Sequence, residues 1–174
     1  MTERDFFNAV SNGQEDVPQM LLDILAETGA AYCLIGGLAV NAYTEPVVSL
    51  DLDIVIAVEG VERLCDSAAR RGLKIERFEH SINLTSPKSD LRIQIQTDER
   101  YQAFIARSKL KEVLGYEMNT AAPEDVLQGK IWACSDQQRR RSKRQKDLAD
   151  ILRLIEANPN LEKLLPAEVR ERLG

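Results

Sequence analysis

The sequence predicts an α+β fold: a mixed sheet flanked by helices, followed by a helical subdomain. Three observations carry this. Short apolar runs of strand type are interleaved with helical repeats up to about residue 121. Beyond that point apolar residues recur only at helical spacing. No internal repeat or low-complexity linker interrupts the order. The expected organisation is an α/β core over 1–121 and a helical C-terminal subdomain over 122–174 packed on it.

Residues 4–10 form a short amphipathic start, and Ser11-Asn12-Gly13 a turn. Val17, Leu21, Leu22, Ile24 and Leu25 repeat at helical spacing over 17–28, and Gly29 stops that helix. The apolar run 31–35 reads as a first strand ending at Gly36-Gly37, before a short helix over 38–43. Residues 50–58 make the second strand. Val61, Leu64, Cys65 and Ala68 share one face of a crossover helix over 61–71, closed by Gly72. Strands follow at 73–78, 81–85 and 91–97, with Ser86-Pro87-Lys88-Ser89 as the turn before the last. Residues 111–120 are ambiguous and admit a hairpin turning at Gly115. Pro123 opens a helix to about residue 135, with Glu124 and Asp125 suited to its positive end. A charged link leads to a helix over about 139–156, closed by Pro159, and a last short helix covers 166–173.

At 174 residues the chain is long enough to bury most of its apolar surface. Its 23 basic and 28 acidic residues give a net charge of −5, so composition implies no general affinity for nucleic acid or membrane. Any basic partner surface is local. Cys33, Cys65 and Cys134 contain no C-x-x-C pair and accompany a single histidine, His80, which argues against a disulfide framework or a zinc site. The opening MTERDFFNAVSNGQED is charged, and no stretch approaches the roughly 20 apolar residues that span a bilayer. A soluble cytoplasmic protein with reduced thiols is expected.

The chemistry concentrates in LIGGLAVNAYTEPVVSLDLDIVI, residues 34–56. Alternation along a strand points Asp51 and Asp53 one way and Leu52, Ile54 and Ile56 into the core. Two carboxylates so placed repel, and a shared proton, basic partners or a divalent cation relieves them. Magnesium favours oxygen ligands and is often held by one or two carboxylates plus substrate phosphates. An isolated D-x-D is more often the mark of a solvated edge strand. The preceding Gly36-Gly37 sits between strand and helix, where bare backbone can approach a phosphate, although a tight turn alone would also use it.

Gly36-Gly37 followed by Ser49-x-Asp51-x-Asp53 resembles the signature of the polymerase β-like nucleotidyltransferases. The resemblance implies a nucleotidyltransferase-fold sheet, a glycine turn and Ser49 at the nucleoside triphosphate, and Mg2+ (or Mn2+) on Asp51 and Asp53. It also implies transfer of a nucleoside monophosphate, from ATP or another triphosphate, to an acceptor. Many members carry a third carboxylate on a later strand. Here that strand is 90–98, where Arg92, Gln94 and Gln96 share the face opposite Leu91, Ile93 and Ile95. With Gln94 or Gln96 as the match an amide replaces the acid, and Asp90 or Asp98, on the same face at the strand's ends, substitutes only if the strand is shifted; otherwise the acid comes from elsewhere or the protein is catalytically inactive.

On the helix from Pro123, Lys130 falls inside the apolar arc of Val126, Leu127, Ile131 and Cys134, where it either snorkels or serves a site. On the next helix Asp147 projects between Leu154 and Ile151, while Asp150 points further toward the polar side. The two inward charges alone read as a structural ion pair. With the glycine turn and aspartates they resemble the AbiEii/AbiGii toxin-type nucleotidyltransferases, whose helical lysine and Lys-Asp-x-x-Asp helix match Lys130 and Lys146-Asp147-Leu148-Ala149-Asp150. That resemblance implies Lys130 as the triphosphate ligand and Asp147 as the acid or base toward the acceptor.

The run RRRSKRQK over 139–146 holds six basic side chains in eight positions. It can steer a polyanion such as tRNA, or form a solvated helix face; Lys143 or Arg144 can instead serve the triphosphate. His80 and Trp132 read as structural. The expected function is Mg2+-dependent nucleotidyl transfer to an RNA, protein or small-molecule acceptor, within a toxin–antitoxin or phage-defence pair that supplies a cognate antitoxin. The alternative is an inactive module of the same fold that binds a nucleotide or partner.

Overall fold

The computed structural model describes residues 1–174. Helices α1 (Glu3–Val10) and α2 (Val17–Thr28) lead into β1 (Tyr32–Ile35), α3 (Gly36–Val40) and β2 (Asp51–Ile56). Helix α4 (Val61–Arg70) precedes β3 (Lys74–Arg77), β4 (Ser81–Thr85) and β5 (Arg92–Gln96). The one-turn helix α5 (Phe104–Arg107) separates these from β6 (Lys109–Val113) and β7 (Tyr116–Thr120). Then come α6 (Pro123–Ser135), α7 (Arg141–Ala157) and α8 (Ala167–Leu173).

The helix ends follow their local chemistry. Thr2 and Asp5 form a reciprocal capping box on α1, and Asp16 caps α2 at Gln19 before Gly29 ends it in the left-handed region. Pro123 starts α6 at the position where its missing N–H costs nothing.

The seven strands form one sheet in the order β3-β4-β5-β2-β1-β7-β6. It is mixed, as expected: β2 runs antiparallel to β1 and parallel to β5, and β1 runs parallel to β7. Residues 109–120 do make the hairpin, turning at Leu114-Gly115, both with positive φ, the backbone a tight two-residue loop demands.

Strand β2 lies near the middle of the sheet. Leu52, Ile54 and Ile56 are buried on one face, and Val55 is buried on the other, so both faces are covered along most of its length. Asp51 and Asp53 therefore stand where the second face opens. A single cluster of buried apolar side chains joins Leu34, Ile54 and Ile93 of the sheet to Val126, Leu127, Ile151 and Leu154 of α6 and α7, continuous across residue 121. No helix is long and apolar enough to cross a membrane. All three cysteines are free and buried.

Three boundaries differ from the sequence reading. Helix α3 begins at Gly36 rather than Leu38, because the glycines themselves make its first turn. Helix α7 begins at Arg141, so Arg139 lies in the preceding link. Residues 99–107 hold a short 3-10 turn and α5, too brief to show a period; their Tyr101 and Phe104 pack on Trp132, whose structural reading stands.

Candidate active site

The parallel register sets Arg92 beside Asp51 and Gln94 beside Asp53. Arg92 grips Asp51 Oδ1 through Nε at 3.0 Å and Nη2 at 2.8 Å, and Lys143 Nζ reaches Oδ2 at 3.3 Å. Burial alone would raise the Asp51 pKa, but these two cations outweigh it and hold the carboxyl below its ordinary value.

Asp53 has the opposite balance. Its Oδ1 is buried and has no hydrogen-bond partner. Desolvation pushes its pKa up to about 6; Lys130 pulls the other way, and the neighbouring Asp51 charge adds to the rise. Two adjacent carboxylates thus differ in kind: one ionised and clamped, the other strained toward protonation.

Lys130 is buried on α6, its Nζ 3.2 Å from Asp147 Oδ1 and 2.8 Å from Asp150 Oδ2. Burial would depress its pKa, but Asp150 and Asp147 more than reverse that. Arg139 closes on Asp147 from the link, through Nε to Oδ2 at 2.7 Å and Nη2 to Oδ1 at 3.2 Å. Both oxygens of Asp147 are therefore engaged by cations.

Asp150 requires correction. Helical periodicity pointed it toward the polar side, yet it is 4% exposed. The reason is that α7 packs against α3 as well as α6, so its second side faces protein rather than water. Arg153 completes that contact: it pairs with Asp150 at 2.9 Å and also donates to Asn41 Oδ1, Thr44 Oγ1 and the Glu45 carbonyl.

Gly36 has φ +73°, and a side chain there would strike the Asp53 carboxylate. Gly37 and Ser49 stand apart from the cavity. A Cβ on Gly37 would meet only ordinary contacts, and Ser49 Oγ is occupied by the Asp51 backbone N–H at 3.2 Å.

The cavity between sheet and helices is about 120 Å³ and is lined by Gly36, Asp51, Asp53, Gln94, Lys130 and Asp147, together with Arg92, Arg139 and Lys143. A more open cavity of about 390 Å³, past Gln96, Tyr101, Ala133 and Arg139, continues from it toward Asp98 and Trp132.

The structure thus brings together Gly36, Asp51, Asp53, Lys130 and Asp147. Sequence reasoning did not find Arg92 or Arg139 as site residues. Both were visible only as members of patterns, a strand face and a charge run, whose register and turn the sequence does not state. The basic run divides: Arg139 and Lys143 enter the cleft, while Arg140, Arg141 and Lys146 remain on the surface.

Paired aspartates on a sheet strand, a glycine turn against them and a roof of two helices define a nucleotidyltransferase fold, and solved structures agree. The chain is similar to ANT(2")-Ia in its complex with adenylyl-2"-tobramycin, at 15% identity and TM-score 0.62 over 91% of this chain and 97% of that one. It is similar to the lincosamide antibiotic adenylyltransferase LnuA, at 13% identity and TM-score 0.56 over 82% and 98%. An antigenic nucleotidyltransferase-like protein from Paracoccidioides brasiliensis gives 16%, 0.55, 89% and 78% in the same terms. At these identities the likeness is one of fold.

The family model described as nucleotidyl transferase AbiEii toxin, type IV TA system, matches residues 21–173, and the chain belongs to that family of nucleotidyltransferases. No curated protein matches it.

Proposed function

We propose that the chain transfers a nucleoside monophosphate from a nucleoside triphosphate, such as ATP, to a hydroxyl-bearing acceptor with loss of pyrophosphate, in a Mg2+- or Mn2+-dependent reaction. One observation carries the reading: Asp53 presents an unpartnered buried oxygen beside Asp51, in a cavity that four cationic side chains also line.

The donor set fits a hard divalent ion. No three His, Cys, Asp or Glu side chains are grouped so that they could hold a metal ion by themselves. Two carboxylates are sufficient for magnesium when phosphates and water complete its shell. Bound by Asp51 and Asp53, the ion would neutralise charge at the α-phosphate and help orient the acceptor.

The chain's own residues supply the rest. Lys130, Arg92, Arg139 and Lys143 offer positive charge to the triphosphate and to the departing pyrophosphate, preorganised by the protein before substrate arrives. Gly36 keeps the space in front of Asp53 clear. Gln94 can donate or accept a hydrogen bond but cannot take a proton. Asp147, implied by resemblance as acid or base, is held by Lys130 and Arg139; we assign it the positioning of those two cations. Residues 122–174 act as a helical subdomain that contributes Lys130, Arg139 and Lys143.

The acceptor is a tRNA end, a protein hydroxyl or a small molecule. The family description speaks of a toxin in a type IV toxin–antitoxin system, and we extend that to a cognate antitoxin for this chain. The test is incubation with Mg2+, cell extract and triphosphates labelled at the α-phosphate. The parent should label one fraction, and Asp51→Asn with Asp53→Asn should not, while retaining its circular dichroism. Equal labelling by the double variant would show that the reading is wrong; triphosphate binding without any labelling would favour the inactive module.

A further inference from the structure

Both oxygens of Asp51 face cations, Oδ1 the Arg92 guanidinium and Oδ2 the Lys143 ammonium, so a divalent ion binding there competes with positive charge on either side. The two occupants differ. Arg92 holds Oδ1 with two nitrogens, from a planar fork on a strand residue that is Asp51's own register partner. Lys143 holds Oδ2 with one contact at 3.3 Å, from a flexible four-carbon stem whose side chain is 34% exposed. Lys143 is the loose partner.

Its place is also informative. Lys143 stands in the first turn of α7, with no acidic residue in that turn, and Asp51 is the carboxylate within ion-pair distance of it, while Asp147 one turn on is held by Lys130 and Arg139. Released from Asp51, its ammonium remains at the rim of a cavity already lined by Lys130, Arg92 and Arg139. A polyphosphate entering there is the natural next partner.

We propose that Lys143 is a displaceable counter-ion that couples the two ligands of the site: it occupies Asp51 when the site is empty and moves to the phosphates when a divalent ion takes its place. This rests on the metal–nucleotide reading above. Binding of the ion frees Lys143 for the triphosphate, and binding of the triphosphate draws Lys143 off Asp51, so each ligand strengthens the other to the same extent. Lys143 is thus a phosphate ligand in the filled site, and metal alone should bind weakly.

The experiment compares the parent with Lys143→Met. Mn2+ binding is followed by electron paramagnetic resonance, with and without a triphosphate whose α–β bridge is a methylene. The parent should bind Mn2+ weakly alone and much more tightly with the analogue. In Lys143→Met, Mn2+ alone should bind about tenfold tighter, and the tightening by the analogue should shrink by about the same factor. Lys143→Arg, which keeps the charge and can fork onto Asp51, should bind Mn2+ alone no more tightly than the parent. If Lys143→Met matched the parent in both titrations, the coupling would be refuted while the metal platform stood. If Asp53→Asn bound Mn2+ with the analogue as well as the parent does, the platform itself would fall, and this inference with it.

Discussion

Gln94, one of the two amides that stand where the resemblance implies a third carboxylate, lies directly beside Asp53 across the parallel β2–β5 pair. The substitution keeps a third negative charge away from two that are already crowded. Gln94→Asp should therefore lower the stability of the metal-free protein by about 1–2 kcal/mol at neutral pH through like-charge repulsion. Mn2+ should restore the melting temperature, because an ion that binds only the native state stabilises it. Thermal melts with and without Mn2+ check this; an unchanged metal-free melt would place Gln94 away from the pair.

Asp53 carries a cost in the folded state that depends on pH. Its carboxyl is raised from 3.8 to about 6, so the charged form is the disfavoured one. The cost is absent below pH 4, grows as pH rises toward 6, and is complete above it. Asp53→Asn should stabilise the metal-free protein by about 1–3 kcal/mol at pH 8 and by little at pH 4. Urea titrations at the two pH values measure the difference, and a gain independent of pH would contradict the account.

Lys130 forms ion pairs with two buried carboxylates at once. Lys130→Met leaves Asp147 with Arg139 only and Asp150 with Arg153 only, and should cost about 3 kcal/mol of stability. Triphosphate binding should fall with it. Stability equal to the parent would mean that the remaining arginines suffice.

Gly36 tests the link between turn and strand. Alanine at φ +73° is strained by roughly 1–2 kcal/mol, and its methyl would push the Asp53 carboxylate aside. Gly36→Ala should lower transfer about 100-fold, the order expected when a reacting group is displaced by an ångström. Gly37→Ala, which meets no close atom, should lower it far less. Equal losses would disconnect the turn from Asp53.

Arg153 ties α7 to residues 41–45 by three contacts of 2.7–3.0 Å. Arg153→Met should speed amide exchange over residues 41–48 and raise the nucleotide KM, with kcat changing less. Exchange as slow as in the parent would show that the loop is held by other means, such as the Asn41 bonds to Val47.

The parts of the site set by local periodicity were legible in the sequence. Asp51 and Asp53 two positions apart on an apolar strand, and Lys130 within an apolar arc, required only the strand and helix repeats. Contacts set by pairing were not. That Arg92 meets Asp51, forty-one residues earlier, follows from a parallel register that no local pattern encodes. Asp150 was misplaced because a helical wheel assumes one buried side, whereas α7 is buried on two. Arg139 reaches Asp147 only because the chain turns before α7 begins, and the charged run disguised that turn as helix.

The order of the chain has a temporal consequence. In a protein made from its N-terminus Asp51 and Asp53 exist before Lys130, Arg139 and Lys143 have been synthesised, while the core they share with α6 and α7 closes only when those helices are present. A nascent chain in that interval holds a pair of carboxylates with Arg92 alone among their cationic partners. The cationic side chains proposed to meet the phosphates are therefore complete only once α7 has been made.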